Sequence, residues 1–434
     1  MPATSSRKGG GADRLSTLPD EILQQILSFL PAHEAVRTCV LARSWHHVWK
    51  LMRRLCISGT STPASVQQVG WFMSRLFFIC HCELDKAPLD ACKIIFEDFC
   101  DHDVMLMNFW IEWAIRCKIQ SRRLDIFRDE NDFPWFQIDQ DPLISSHLTR
   151  LELNGIQFIR SFADFSSCPA LQDLQISKCD FTRVAELVSP SLKWLMITGC
   201  CFGQRSRLRI SAPHLVSLKL DDPSVDRTPL LERMPDLVGA YVRTSCNMDS
   251  CYCADRMDCI HTMGGVSDSE TDSDVEISSG DDDDNSIVKS VLLGGLSEAT
   301  NLTLMSVDTM YIFRRDLRWC PTFFKLKTLL LNDYWCGPDD CRPLACMLEH
   351  SPVLEKLIIL FSRKVEPEYK VEMKGCLDNS IKRPIAISEH IKIVKVKCNM
   401  VNERFHNLMK FLQTTGKVRH PISAISENLI QGMP

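Results

Sequence analysis

The chain has 434 residues, of which 45% are hydrophobic and 24% are charged, and its formal net charge is −5. This composition predicts a globular protein long enough for two or three domains. The net charge is small for this length and unevenly placed, so it says little about nucleic-acid or membrane partners. We expect no nucleic-acid partner, because no basic stretch alternates with aromatic residues. The sequence contains no run of about eighteen apolar residues, which excludes an ordinary membrane-spanning helix.

The first 13 residues lack the apolar core of a secretory signal. We therefore expect the protein in the cytoplasm and/or the nucleus. Cysteines stay reduced in those compartments, so the 21 cysteines should form no disulfides and should act mostly as small buried apolar side chains.

Residues 13–50 predict three short helices with more apolar surface than they can bury among themselves. The first helix should start near Thr17, with Pro19 in its opening turn, and should end before Pro31. A unit of this size buries too little surface to be stable alone. The apolar surplus therefore indicates a partner.

Five stretches of this head resemble the F-box in its plant form: DRLS at 13–16, LPDEIL at 18–23, ILSFL at 26–30, VRT at 36–38 and the segment from Trp45 to Trp49. The resemblance implies docking to a Skp-type adaptor and, through it, to a cullin–RING ubiquitin ligase. It implies adaptor contacts for some of the following residues, the others being internal core: Leu18, Pro19, Ile22, Leu23, Leu27, Val40, Leu41, Trp45 and Trp49. The family commonly has two basic residues before the first tryptophan, whereas this chain has Arg43-Ser44.

A degenerate L-x-x-L-x-L repeat follows the head. Copies start at Leu148, Leu171, Leu192, Leu215 and Leu237, at intervals of 23, 21, 23 and 22 residues, and looser copies start at 299, 326 and 354. Each copy predicts a short strand with one apolar face, and stacking the copies in parallel buries those faces in a leucine-rich solenoid. The recurring Phe158, Phe181 and Phe202 should fill its core.

Before residue 148 the repeat is irregular. Apolar runs at 55–57, 94–96 and 124–126 predict earlier strands of the same solenoid, and residues 66–80 and 104–119 predict helices between them.

An acidic insertion interrupts the solenoid. It carries nine Asp or Glu and no Lys or Arg between Asp268 and Asp284, and this composition predicts disorder. Six of its hydroxyl residues precede an acid by three positions: Ser267, Ser269, Thr271, Ser273, Ser278 and Ser279. The first four of them are the predicted phosphorylation sites. A solvated loop without regulation is the alternative.

Five potential metal ligands cluster just before the acidic run: Cys246, Cys251, Cys253, Cys259 and His261. They contain no C-x2-C pair, which structural zinc sites commonly use. We therefore predict loop thiols and no metal site.

Residues 384–412 predict a strand with alternating apolar positions and then an amphipathic helix. This segment resembles the FBD module that follows leucine-rich repeats in many plant F-box proteins. Physically, it should cap the last apolar face of the solenoid.

The predicted fold is therefore α/β: a three-helix F-box, a degenerate leucine-rich solenoid of parallel strands with an acidic disordered loop, and a strand–helix cap. The predicted boundaries are an N-terminal tail at 1–12, the F-box at 13–58, an irregular solenoid start at 59–146, repeats at 147–365 with the insertion at about 246–287, an FBD-like cap at 366–420 and a tail at 421–434.

The predicted function is that of a substrate receptor. The F-box would dock the adaptor, the repeats would bind an unknown target protein, and the chain itself would be a non-catalytic ligase subunit, because it contains no phosphate-binding, common hydrolase or cofactor motif. An interaction scaffold that binds the adaptor without supporting ubiquitination is the alternative. A second alternative function is sensing of a small molecule through Arg205, Arg207 and Arg209, although a solvated loop explains this basic run better.

Overall fold

The computed structural model of the protein describes residues 18–41, 45, 48–59, 90–97, 103–116, 119–127, 136–138, 143–203, 207–225, 228–246, 290–306, 313, 316–336, 341–361, 390–398 and 403–414. The chain divides into two compact units, Met1–Ile156 and Gln157–Pro434. Within these ranges, no helix combines the length and the apolar character that crossing a membrane requires.

The first unit carries the helical head and four parallel strands that pair in the order β1-β2-β3-β5. Its elements are α1 (Asp20–Leu27), α2 (Ala32–Arg37), 3-10 turns at Thr38–Val40 and Val48–Leu51, β1 (Arg54–Gly59), β2 (Ala91–Glu97), α3 (Val104–Arg116), β3 (Ser121–Phe127), β4 (Phe136–Gln137) and β5 (Arg150–Asn154). A further two-residue strand, β6 (Ile156–Gln157), spans the boundary between the units.

The second unit is built on parallel strands that pair in the order β7-β9-β11-β13-β14-β15-β16-β17, with a smaller parallel sheet β8-β10-β12. Its elements are a 3-10 turn at Arg160–Ala163, β7 (Asp173–Ser177), β8 (Glu186–Val188), β9 (Trp194–Thr198), β10 (Arg209–Ser211), β11 (Ser217–Val225), β12 (Leu230–Leu231), β13 (Gly239–Cys246), β14 (Asn301–Ser306), β15 (Thr328–Asn332), a 3-10 turn at Asp333–Trp335, α4 (Arg342–Glu349), β16 (Lys356–Leu360), β17 (Ile393–Lys397) and α5 (Glu403–Thr414).

The strand register confirms the leucine-rich repeat. The middle residue of one copy aligns with that of the next, as Leu174 with Leu195, Leu195 with Leu218 and Leu329 with Leu357. These side chains are at most 2% exposed. The apolar residue two positions on is also buried in each of these strands, because alternate side chains of a strand share one face. One side of the sheet is therefore a continuous core.

A ladder of aromatic rings runs beside the strands, as the sequence predicts. The ring centroids of Phe158 and Phe181 lie 4.4 Å apart, and those of Phe181 and Phe202 lie 5.6 Å apart. All three rings are buried, together with Cys179 and Cys200. Aromatic stacking thus continues from one repeat to the next, and the two thiols occupy apolar core positions.

The turn after β5 requires a glycine, because Gly155 has φ +75 and a Cβ atom there would clash with the carbonyl oxygen of Ile126. Gly199, in the turn after β9, has φ +60, but its nearest obstacle is the Cγ atom of Lys178 at 4.0 Å. We expect Gly155→Ala to destabilise the protein by roughly 3–5 kcal/mol, from backbone strain plus overpacking. Gly199→Ala, which adds only the backbone strain, should cost about 1–2 kcal/mol.

Urea denaturation of the two variants beside the wild type measures this difference. Equal losses of stability would contradict the steric clash at Gly155.

The acidic insertion lies between adjacent strands. β13 and β14 pair directly, with Gly239 opposite Asn301, so no strand of the intervening chain separates them. The predicted disorder and the phosphorylation candidates Ser267, Ser269, Thr271 and Ser273 fall outside the described residues. The chain is described again from Ser290.

A buried carboxylate holds the segment that follows the acidic insertion and starts at Ser290. Asp316 is 0% exposed and accepts hydrogen bonds from the Ser290 hydroxyl and from the backbone N–H groups of residues 291–293, at 2.6–3.1 Å. The N–H of Leu231 donates to the carbonyl oxygen of Val291 at 2.8 Å. These bonds attach the returning segment to the repeat before the insertion and to the turn after it.

The remaining predicted elements are present with adjusted boundaries. The helix predicted at 104–119 ends at Arg116, and its Trp110 is buried and stacks on Phe96, with ring centroids 5.4 Å apart. The C-terminal strand and helix form β17 and α5. The helix predicted at 66–80 lies outside the described residues.

Candidate docking site of the helical head

The head has its own small core. Six side chains form it, and three partly buried ones pack against it. The core residues are Leu23, Leu27, Ala35, Trp45, Val48 and Met52, and the residues packed on them are Leu18, Leu30 and Trp49. The indole of Trp45 is only 5% exposed. The third predicted helix is thus a 3-10 turn that closes this core.

Helix α1 starts at Asp20, with Pro19 as its N-cap residue, and not at the predicted Thr17, which lies outside the described residues. The carbonyl oxygen of Pro19 accepts the backbone N–H groups of Ile22 and Leu23, at 3.0 and 3.1 Å. The acidic Asp20 and Glu21 occupy the first turn, where the helix dipole favours negative charge.

The far end of α1 is shorter than predicted. The helix ends at Leu27, and the hydroxyl of Ser28 donates to the carbonyl oxygen of Gln24 at 2.7 Å. Phe29 and Leu30 therefore lie in a turn beyond the helix, before Pro31.

The outward side of α1 is also apolar. Leu23 and Leu27 face the core at 1% exposure, whereas Ile22 and Ile26 are 43% and 40% exposed, and Phe29 just beyond the helix is 72% exposed. Positions separated by four residues share a helix face, so Ile22 and Ile26 form one exposed stripe that Phe29 extends in sequence. Exposed apolar groups concentrated in this way mark an interaction surface.

A second exposed apolar pair follows α2. Val40 is 83% exposed and Leu41 is 69% exposed. They sit at the end of a 3-10 turn in which the hydroxyl of Thr38 donates to the carbonyl oxygen of Ala35 at 2.6 Å. This turn holds both residues beside the head's core while leaving their side chains in solvent.

The structure sorts the predicted adaptor contacts into two groups. Pro19, Ile22, Val40 and Leu41 are exposed, and Leu18 and Trp49 are partly exposed. Leu23, Leu27 and Trp45 belong to the internal core that the resemblance allows for some of these residues. The adaptor contacts of the others stay a prediction. Sequence reasoning missed Ile26, Phe29 and Leu51, although the spacing of Ile26 from Ile22 already places the two on one face. The Arg43-Ser44 departure lies outside the described residues.

The strand face of the second unit carries a different set of groups. Trp194 is 46% exposed, the ammonium of Lys219 lies 5.7 Å from the ring centre of Tyr241, and Arg243 donates to Asp221 at 2.6 Å. Burial, and secondarily the Asp221 carboxylate, raises the pKa of Tyr241, so its phenol stays neutral at physiological pH. The aromatic side chains and Arg243 on this face are of the residue types that are enriched at protein interfaces.

The basic run considered for ligand sensing does not assemble into a pocket among its described members. The guanidinium of Arg207 donates to the carbonyl oxygen of Thr228 at 2.8 Å, and that of Arg209 pairs with Glu232 at 3.4 Å. Arg205 lies outside the described residues. In the cysteine cluster near the insertion, Cys246 ends β13 and the other members lie outside those residues.

Comparison with known proteins identifies the head. The F-box domain family matches residues 15–56. A family match of this kind supports binding of a Skp-type adaptor in general. No solved structure matches the chain.

Individual relatives match more of the chain than the F-box domain family does. One F-box/FBD/LRR-repeat protein of Arabidopsis thaliana is 26% identical over 89% of this chain and 84% of its own length. The meiotic F-box protein MOF of Oryza sativa is 27% identical over 80% of this chain and 70% of its own length. A second Arabidopsis F-box/FBD/LRR-repeat protein is 26% identical over 53% of this chain and only 60% of its own length. The chain therefore carries an F-box domain and resembles the plant F-box/FBD/LRR-repeat proteins over most of its length.

Proposed function

We propose that this protein is the substrate receptor of an SCF-type cullin–RING ubiquitin ligase. The observation that carries the proposal is the exposed apolar surface of its F-box, formed by the outward side of α1 with Phe29 and by Val40 and Leu41. These side chains lie outside the head's own core, so an adaptor that covers them removes apolar surface from water.

The leucine-rich units would then present a target protein to the ligase. A receptor of this kind acts by proximity, because holding a target lysine near a charged ubiquitin carrier raises its effective concentration. The chain itself would contribute no catalytic group. We place this activity in the cytoplasm and/or the nucleus.

Reconstitution tests the proposal. The full chain is co-purified with a plant Skp-type adaptor, then mixed with cullin, RING protein, ubiquitin and the activating and conjugating enzymes. We expect a stable complex that contains the cullin, and ubiquitin chains on the receptor or on bound proteins. Recovery of the adaptor without cullin would favour the scaffold alternative, and failure to bind the adaptor would exclude both functions.

Target identification uses proximity labelling in plant cells. A ligase turns its targets over, so a docking-deficient Ile22→Asp receptor should accumulate labelled proteins that the wild-type receptor loses. A Phe324→Asp variant, altered at an exposed position of the second unit, is the control that keeps adaptor docking. Identical labelling by all three would contradict a role in degradation.

A further inference from the structure

Three potential metal ligands from two separate segments of the second unit meet beside β15. Cys320 lies in the connection before this strand, and Cys346 and His350 lie on and at the end of α4, which follows it. One donor atom from each residue lies within 4.8 Å of the other two. All three side chains are partly buried, between solvent and core.

The local fold explains why the three side chains converge. Cys346 and His350 are four residues apart, so they share one face of α4. The Nδ1–H group of His350 donates to the carbonyl oxygen of Cys346 at 2.8 Å, which fixes the imidazole at the helix end. The Cys346 thiol also contacts the carbonyl oxygen of Leu317, three residues before Cys320.

The spacing of the donor atoms suits a tetrahedral metal. The Sγ atom of Cys346 and the Nδ1 atom of His350 are 3.8 Å apart. To bind a metal through Nδ1, His350 would carry its proton on Nε2 and give up the hydrogen bond from Nδ1 to the carbonyl oxygen of Cys346. Two ligands of a tetrahedral zinc ion, one sulfur and one nitrogen, are about 3.6 Å apart, given the usual zinc–ligand bond lengths. The sulfurs contact carbonyl oxygens at long distances, 3.6 Å for Cys320 and 3.8 Å for Cys346, so a metal would displace weak contacts there.

We propose that Cys320, Cys346 and His350 form a zinc site that links the two connections flanking β15. Two thiolates and a neutral imidazole cancel the charge of Zn²⁺, which suits a partly buried position. Binding releases the thiol protons to solvent, so affinity falls as the pH decreases. The fourth position would be taken by water or by another ligand.

The ionisation of the Cys320 and Cys346 thiols agrees with the proposed zinc binding. The Cys320 thiol donates a hydrogen bond to Cys346, and this bond, with a smaller contribution from His350, lowers the pKa of Cys346 to about 7. The same hydrogen bond and burial raise the pKa of Cys320.

Metal analysis of the full chain under a strong non-thiol reductant tests the site. The protein is loaded with Zn²⁺, passed over a weak chelator and analysed by mass spectrometry for bound metal. We expect Cys320→Ser and Cys346→Ser each to hold about one equivalent less zinc than the wild type. Cys201→Ser, which removes an exposed thiol elsewhere in the same unit, should retain the wild-type zinc content.

The test compares the zinc content of each variant with that of the wild type. Zinc bound by the cysteines near the acidic insertion is present in all of these proteins, so it does not affect the difference. Cobalt provides a second readout, since the thiolate-to-cobalt charge-transfer absorption of the wild type should decrease in both variants. Circular dichroism of the metal-free proteins checks that each variant folds. Equal zinc content and equal cobalt spectra in folded wild type, Cys320→Ser, Cys346→Ser and Cys201→Ser would overturn the proposal.

Discussion

Replacing Phe29 by aspartate should weaken binding of the Skp-type adaptor by at least about 30-fold, because burying a phenylalanine side chain contributes about 1.5–3 kcal/mol and burying an unpaired carboxylate adds a further cost. Phe29 is 72% exposed in the isolated chain, and it continues in sequence the outward stripe of Ile22 and Ile26. Since the side chain contributes little to the head's own core, the variant should fold normally. Isothermal titration calorimetry with purified adaptor measures the change.

The second unit offers a matched control, since Phe324 is 73% exposed. Phe324→Asp makes the same chemical change at nearly the same exposure, outside the F-box, and it should leave the adaptor affinity unchanged. If both variants bind the adaptor as tightly as the wild type, Phe29 is not part of the docking surface. If both lose binding equally, the effect arises from general destabilisation.

The core residue Leu27 distinguishes docking from folding in the same assay. Leu27→Ala removes a side chain that is 1% exposed and should destabilise the head by about 2–5 kcal/mol through the cavity that it leaves. Adaptor binding would then fall together with the helical content of the head. Phe29→Asp should reduce binding while the helical signal stays at the wild-type level.

Local patterns in the sequence were sufficient to predict the strands but not all of their partners. Each leucine-rich copy predicts its own strand, because the alternation of Leu151 and Leu153 is contained within a few residues and every copy repeats it. The aromatic ladder follows from the same period. Stacking such units needs no information from distant parts of the chain.

The two faces of α1 show where this reasoning stops. Ile22, Leu23, Ile26 and Leu27 are all large and aliphatic, so the apolar pattern does not say which pair faces inward. That choice is made by Trp45 and Val48, which pack against Leu23 and Leu27 from a turn about twenty residues away. Tertiary packing, and not helical spacing, divides the core residues from the exposed ones.

The same limit applies to the polar contacts that join distant residues. Asp316 accepts bonds from residues 290–293, and Cys320 meets Cys346 and His350. No short sequence motif predicts the Asp316 hydrogen bonds or the cysteine–histidine cluster. Each depends on two connections of neighbouring repeats that lie side by side. The only local signal is the four-residue spacing of Cys346 and His350, which becomes informative once α4 is known to be a helix.

Asp316→Ala should be among the most destabilising substitutions in the second unit, at about 3–6 kcal/mol. The variant leaves the buried N–H groups of Val291, Leu292 and Leu293 without their acceptor, and each orphaned donor costs about 1–3 kcal/mol. The loss should be concentrated where the chain returns from the acidic insertion. Hydrogen exchange followed by mass spectrometry should show faster exchange of residues 290–299, with little change in β5 of the first unit.

Glu298 provides the matched control, because it is a carboxylate of the same returning segment that is partly exposed, with 20% of its side chain accessible. Its hydrogen bonds with Lys325 and Arg233, at 2.8 and 2.9 Å, lower its pKa, yet pairs of this kind near the surface contribute at most about 1 kcal/mol. Glu298→Gln should therefore leave both the urea midpoint and the exchange of residues 290–299 nearly unchanged. Asp316→Asn, which keeps one acceptor oxygen, should fall between the two. If Asp316→Ala proves no more destabilising than Glu298→Gln, the buried carboxylate does not hold the returning segment in place, and packing of its apolar residues, such as Leu292 and Leu293, must do so instead.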